Sequence, residues 1–349
     1  MALKHNVLGI CLALAICVVA PAEARTIDIP ATAGWKHAGS GTVLRREIAG
    51  FVRESLSDSG DRELDVSAQF RSQDQSTLAT IYIFRPANNS APIWFDRSRT
   101  MIEQGDMFGM KGRSVDIRPS ALDAAASSTV SGLKIVYPVS AGNFRSTALA
   151  LVPAGEWILA VRITSSTLDA PSLDAKLNAV VAGIGWAANI AQAPASEPVQ
   201  PCADPLKFGK AKLLPPSLGN ALIDAVAGMA TAKSDADNSP AKPAPLAVYC
   251  KDPASTMNYG IYRANAESDA YVMAAGDAGI SVLVGPTISL GSGPRYSVVV
   301  QQLDSDLSYP SFSRLPSPDQ VWHLINEARP LSSTTRNGNG TQSHLPSKN

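Results

Sequence analysis

Apolar and polar positions alternate along the first half of the chain with the period of extended backbone. Leu64, Val66, Ala68 and Phe70 are separated by polar neighbours, the pattern of a half-buried strand. Residues 77–84 are rich in β-branched and aromatic side chains. The polar stretch 72–76 between them is turn-like, so the two runs predict an antiparallel hairpin. Shorter extended stretches at 42–46 and 51–56 precede it. A helix is expected after Ser90, with Pro92 in its first turn and Trp94, Met101 and Ile102 on one side. Three more strands follow at 130–139, 145–152 and 156–164, the last two joined at Pro153, Ala154 and Gly155. The period then lengthens: Leu173, Leu177, Val180, Val181 and Ile184 recur at helical spacing behind Asp169 and Pro171.

From residue 191 to 245 prolines punctuate an Ala-, Ser- and Lys-rich stretch that reads as an extended linker. Within it, Ser217 caps a short amphipathic helix whose stripe is Leu218, Leu222, Val226 and Met229. Its expected role is docking on one of the domains, with partner binding as the alternative. Beyond the linker, extended runs at 246–250, 259–263, 270–275, 280–285 and 295–303 suggest a meander of short strands. A helix closes it: Ser317 caps, Pro318 takes the first helical position and Gln320 completes a capping box. Val321, Leu324, Ile325 and Ala328 are its buried stripe. The Ser/Thr/Asn/Gly tail, 331–349, is expected to be disordered. The fold class that follows is α+β, in two domains at 25–190 and 246–330. Each would be an antiparallel sheet with packed helices, joined by the Pro/Ala-rich linker.

The strongest apolar run lies at the start. Lys4 and His5 precede an uninterrupted apolar stretch from Val7 to Ala20, then Pro21 and the small residues Ala22 and Ala24 flanking Glu23. This is the layout of a signal peptide over residues 1–24, cut before Arg25. The run falls short of the roughly 20 residues a spanning helix needs, and no later segment is apolar enough, so no transmembrane segment is expected after cleavage. The expected address is periplasmic or secreted, and the Ala- and Pro-rich composition suggests a bacterial envelope.

Charge narrows the partners. Thirty basic and thirty acidic residues give a formal net charge of zero, and the leader carries one of each sign. A neutral chain with scattered charge has no electrostatic footprint for nucleic acid or for anionic lipid. Outside the leader only Cys202 and Cys250 remain, and an oxidising compartment favours their pairing. Two free thiols or an intermolecular bridge are the alternatives. No metal site is expected, because His37, His323 and His344 are far apart and off ligand spacing with the cysteines. No cofactor motif is present.

Catalytic signatures are sparse. There is no Gly-x-Ser-x-Gly elbow and no phosphate-cradling loop. Asp235 and Asp237 resemble the start of a calcium loop without its glycine and distal glutamate, and read as solvated linker. His323 reads as a surface histidine, and His37 has no assignable nucleophile. Glu103, Asp106 and Asp116 could supply paired carboxylates for hydrolysis, at a separation sequence does not measure. Tyr259, Tyr262, Arg263, Tyr271, Arg295 and Tyr296 fall on neighbouring expected strands, and these residue types favour binding surfaces. Sheet-face packing is the alternative.

The order of elements in the first domain resembles PsbP-like modules of exported proteins. Trp35 opens it, 79–83 lies in an early hairpin, a central helix follows, and the strand 157–161 precedes the helix of 173–184. The resemblance implies a non-enzymatic assembly or binding accessory and carries no functional residue. The leading expectation is therefore a periplasmic accessory protein that binds a protein partner or small ligand. A carboxylate-based envelope hydrolase is the alternative, and a structural envelope component the third.

Overall fold

The computed structural model describes residues 24–30, 32–109, 117–122, 131–140, 142–188, 193, 195–215, 219, 247–289, 293–337 and 340–344. Residues 1–23 of the expected leader, Asp116, Asp235, Asp237 and the expected helix at 218–229 (apart from Gly219) lie outside them. Strands dominate. The first unit runs through β1 (Arg25–Thr26), β2 (Trp35–Lys36), β3 (Val43–Leu44), β4 (Glu47–Ile48), β5 (Phe51–Asp58), β6 (Asp65–Ser72) and β7 (Thr77–Phe84) to helix α1 (Ala91–Gln104) and a 3-10 turn (Asp106–Phe108). It continues with β8 (Ser120–Leu122), β9 (Gly132–Pro138), β10 (Ser146–Ala154), β11 (Trp157–Ser165) and α2 (Ala170–Gly183). Its main sheet has nine strands in the order β1-β5-β6-β7-β11-β10-β9-β8, with β4 on β5.

A second nine-stranded sheet follows chain order: β12 (Gln200–Pro201), β13 (Tyr249–Lys251), β14 (Tyr259–Ala264), β15 (Tyr271–Ala275), β16 (Ile280–Thr287), β17 (Arg295–Gln301), β18 (Ser305–Phe312), β19 (Ser332–Asn337) and β20 (Gly340–His344). Helix α3 (Pro318–Glu327) begins with the expected Ser317–Gln320 capping box. Only β12 and β13 pair in parallel within it.

The fold is therefore β-rich, and the expected α+β class with packed helices is corrected: two large antiparallel sheets outweigh three α-helices among the described residues. The missing strands explain the difference. β18 contains Pro310 and three serines, and β19 and β20 are made up of Ser, Thr, Arg, Asn, Gln, His and Gly. β19 and β20 show no apolar alternation to read, and in β18 Pro310 masks a strand whose Leu307, Tyr309 and Phe312 pack on the second core. The tail expected to be disordered thus extends the sheet as a hairpin. Part of the expected linker is also ordered, with Leu206 and Phe208 packed on the second core.

The layers run α2, first sheet, α1, second sheet, α3. The core beneath α2 gathers Leu173, Leu177, Val180 and Val181 with Phe51, Phe70, Ile81 and Val161. The core around α1 holds Ile93, Trp94 and Phe95 with Ile135, Leu149 and Ile158 below, and Tyr262 and Ala274 of the second sheet above. α1 is shared. Every residue of β10 is buried, because helices cover both of its faces. Gly260 lies where α1 crosses β14. A Cβ there would sit 2.6 Å from the Tyr262 ring and 2.8 Å from Arg97 Cδ, so only glycine admits so close a crossing.

His37 is wholly buried between Trp35 and Trp157, at 4.4 Å from the Trp157 ring centroid. The Ser40 backbone N–H donates to its Nδ1 (3.0 Å), which places the proton on Nε2, donating to the Glu63 carbonyl (2.7 Å). Burial lowers its pKa. It is a neutral core residue. His323 is exposed on α3 and faces Glu327 at 3.0 Å.

Candidate functional site

Helix geometry puts Asp96, Arg99, Thr100 and Glu103 on one face of α1, at i, i+3, i+4 and i+7. That face is the floor of a cleft of about 580 Å³. One wall is residues 117–119, leading into β8, the last strand of the first sheet. The other is residues 198–201 with Lys251, where β12 begins the second sheet. The edges of both sheets thus meet over α1.

The ionisable groups of the floor are mutually satisfied. Asp96 Oδ2 accepts from the Tyr262 hydroxyl (2.6 Å) and pairs with Lys251 Nζ (2.8 Å), which also donates to Thr100 Oγ1 (3.1 Å). One turn-pair further on, Glu103 Oε1 accepts from Arg99 Nε (2.7 Å) and from the Tyr137 hydroxyl (2.7 Å). Burial and the adjoining carboxylates raise the pKa of both phenols, Tyr262 beside Asp96 and Tyr137 beside Glu103, so both stay protonated as donors. Asp96 and Glu103 are two turns apart, about 10.5 Å along the axis. Each carboxylate is held by a cation and a phenol, an arrangement that fixes α1 between the sheets. Arg118 differs: it is exposed on the cleft wall, with no ion pair among the described residues.

Of the carboxylates singled out from the sequence, Glu103 lies in this cleft and Asp106 is exposed on the 3-10 turn after α1. Asp96, the more central group, was missed, although its i, i+7 relation to Glu103 was legible. The Tyr/Arg set does not gather into one surface. Tyr259 is buried and donates to Asp319 (2.6 Å), while Tyr262 turns the other way onto α1. Arg263 is buried against the disulfide. Tyr271 donates to the Pro316 carbonyl (3.1 Å) and Arg295, also buried, to the Ile288 carbonyl (2.9 Å). Tyr296 is half-buried on the second core. Side chains alternate across a sheet, so positions an odd number apart, such as 259 and 262 or 295 and 296, face opposite ways. The sheet-packing alternative describes them.

Cys202 and Cys250 form the disulfide, with Cα atoms 4.8 Å apart. It ties β12 to β13 at the edge of the cleft. Among the described residues no group of three His, Cys, Asp or Glu side chains is arranged to hold a metal, and no helix is long and apolar enough to cross a membrane.

A second cleft, of about 350 Å³, opens at the other end of the seam between the units, lined by Asp58, Asp65, Ile280 and Leu303 among others. Arg62 pairs with Asp304 across it. Asp58 is fully buried and satisfied by Arg25 and by the Gly60 and Glu63 N–H groups. Burial, with Asp58 and Asp277 nearby, raises the Asp65 pKa. A raised folded-state value means that the folded protein holds its proton more tightly than the unfolded chain, so this residue's contribution to stability falls as pH rises through that window. Asp65→Asn is accordingly expected to raise the melting temperature at pH 7, with the gain fading on acidification towards the ordinary aspartate range. Parallel melting curves of both proteins against pH test this; equal gains at every pH would refute it.

No protein-family model, curated protein or solved structure matches the chain.

Proposed function

We propose that the protein is an exported, non-enzymatic accessory protein, and that the cleft over α1 takes a small polar ligand bearing an anionic group. The observation that carries this is the charge arrangement of the cleft. Asp96 with Lys251 and Glu103 with Arg99 cancel in pairs, which leaves the Arg118 guanidinium on the wall as the unmatched charge among the described residues of the cleft. A guanidinium is suited to carboxylate or phosphate, and the side chains of Gln104 and Gln200 on the same cleft supply amide donors and acceptors. The volume is of the size that small-molecule sites have. The disulfide accords with an extracytoplasmic address in the periplasm or medium, and the resemblance of residues 25–190 to PsbP-like modules points to the same accessory role.

The test is native mass spectrometry of the gently purified protein, followed by calorimetry with any compound it retains. Arg118→Ala is expected to weaken binding on the order of tenfold or more, the worth of a charge-assisted hydrogen bond, and to leave the melting temperature unchanged. Retention of the ligand with unaltered affinity in that variant would overturn the assignment of the site. Turnover of glycosides by the purified protein would overturn the non-enzymatic reading.

A further inference from the structure

We propose that Cys202–Cys250 is a thiol-exchange site, in which Cys250 receives an incoming thiolate and Cys202 leaves as a thiolate held by Arg263. The two sulfurs have unequal surroundings. Cys202 is buried and Cys250 is partly exposed. Arg263, itself buried, donates from Nε to Cys202 Sγ at 3.2 Å and from Nη2 to the Asp204 carbonyl at 2.5 Å. A disulfide sulfur is a weak acceptor, poorly matched to a charged, buried N–H. A thiolate at the same position would make a charge-assisted bond, so this contact strengthens on reduction.

Arg263 is shared between this sulfur and one buried carboxylate, Asp252, with which it forms an ion pair. Asp252 Oδ2 is 3.8 Å from Arg263 Nε. Its oxygens accept from the Leu206 N–H (2.8 Å) and the Ala254 N–H (3.0 Å). The Lys251 ammonium, next to Cys250 in sequence, is paired with Asp96. Arg263 is thus the cation in contact with the leaving sulfur.

The co-reactant is a dithiol. One of its thiolates attacks Cys250 Sγ, the Cys202–Cys250 bond breaks, and the electron pair goes to Cys202 Sγ. The second thiol, deprotonated, then attacks its partner sulfur in the mixed disulfide. Cys250 leaves as a thiolate and takes a proton from water. The protein disulfide is reduced by two electrons and the dithiol becomes a disulfide. Residues 198–201, tethered through Cys202, form one wall of the α1 cleft, and reduction would leave that wall held by backbone pairing without its covalent tie. This last consequence rests on the cleft being a ligand site, whereas the exchange chemistry is measured without ligand.

Exchange is read first on the unaltered protein. It is treated briefly with glutathione, quenched with acid and mapped by peptide mass spectrometry. The glutathione adduct is expected on Cys250 with Cys202 as the free thiol; an adduct mainly on Cys202 would overturn the proposal. The thiolate absorbance of Cys202 is then titrated in C250S. Its midpoint is expected at least about one unit below the ordinary cysteine value of about 8.5, and R263Q added to C250S should move it back up. A midpoint at or above that ordinary value in C250S would also overturn the proposal. Should R263Q not fold, the adduct map and the C250S titration still decide.

Discussion

Arg97→Met is expected to lower the unfolding free energy by about 3–5 kcal/mol, the scale for removing one member of a buried charged network. Arg97 is wholly buried on α1, on the side facing the second sheet. Its guanidinium donates to three backbone carbonyls of that unit: Gly276 from Nε (2.8 Å), Thr256 from Nη1 (3.2 Å) and Met257 from Nη2 (2.8 Å). Asp96 and Asp277 balance its charge without bonding to it, and burial lowers its pKa. Methionine keeps much of the aliphatic stem, so the loss comes mainly from carbonyls left without donors, each worth about 1–3 kcal/mol where water does not reach. Arg97→Lys should be nearly as damaging, because an ammonium on a flexible stem does not reproduce a planar three-way fork. Urea unfolding of the three proteins measures this. A loss below about 1 kcal/mol for both variants would show that other contacts at the seam, such as the Ala87 N–H to the Gly279 carbonyl (2.9 Å), suffice.

Replacing both cysteines by alanine is expected to cost about 4 kcal/mol, from loop closure over a sequence separation of 48 residues. Two further losses act in the same direction. The Arg263 Nε donor would face a methyl group instead of sulfur, and β12 would be held by its two-residue parallel pairing and the Cys202 N–H bond to the Lys251 carbonyl (2.9 Å). Reduced wild-type protein forms the informative contrast. If Arg263 stabilises the Cys202 thiolate, the reduced chain loses less stability than the alanine pair, and the gap narrows as pH falls below the Cys202 titration. Unfolding curves for the oxidised, reduced and double-alanine proteins at two pH values check this. Equal losses for the reduced and alanine proteins at both would count against the thiolate contact.

Much of the local structure was readable because the relevant signals are local. The alternation from Leu64 to Phe70 and the β-branched run at 77–84 became β6 and β7. Ser90 and Asp169 stand at the starts of α1 and α2, and the Asp169 side chain accepts from the Ser172 N–H (3.0 Å). The helix expected at 173–184 carries its buried stripe as read, and in the last helix Val321 and Leu324 are buried while Ile325 and Ala328 are half-buried against the same core. One available signal was passed over. Ile93, Trp94 and Phe95 are consecutive apolar residues on a helix, which cannot all share one face. They mark a helix covered on more than one side, and Arg97 between those coverings is the clamp.

By itself the sequence determined the position of most strands, the helix caps and the availability of one cysteine pair, because each depends on neighbours within a few residues or on a count. Only the tertiary structure decided that the fold is β-rich, since β19 and β20 have no apolar alternation in their sequence and join the sheet by backbone pairing beyond β18, a strand interrupted by Pro310. It alone decided that α1 serves both sheets, that Asp96 and not Asp106 joins Glu103 on the cleft floor, and that the Tyr/Arg set points to opposite faces. These outcomes turn on pairings between residues more than a hundred positions apart, such as Asp96 with Tyr262 and Arg97 with Gly276. Composition and periodicity describe what a residue prefers to contact; which partner it meets is settled when the sheets close over the helix between them.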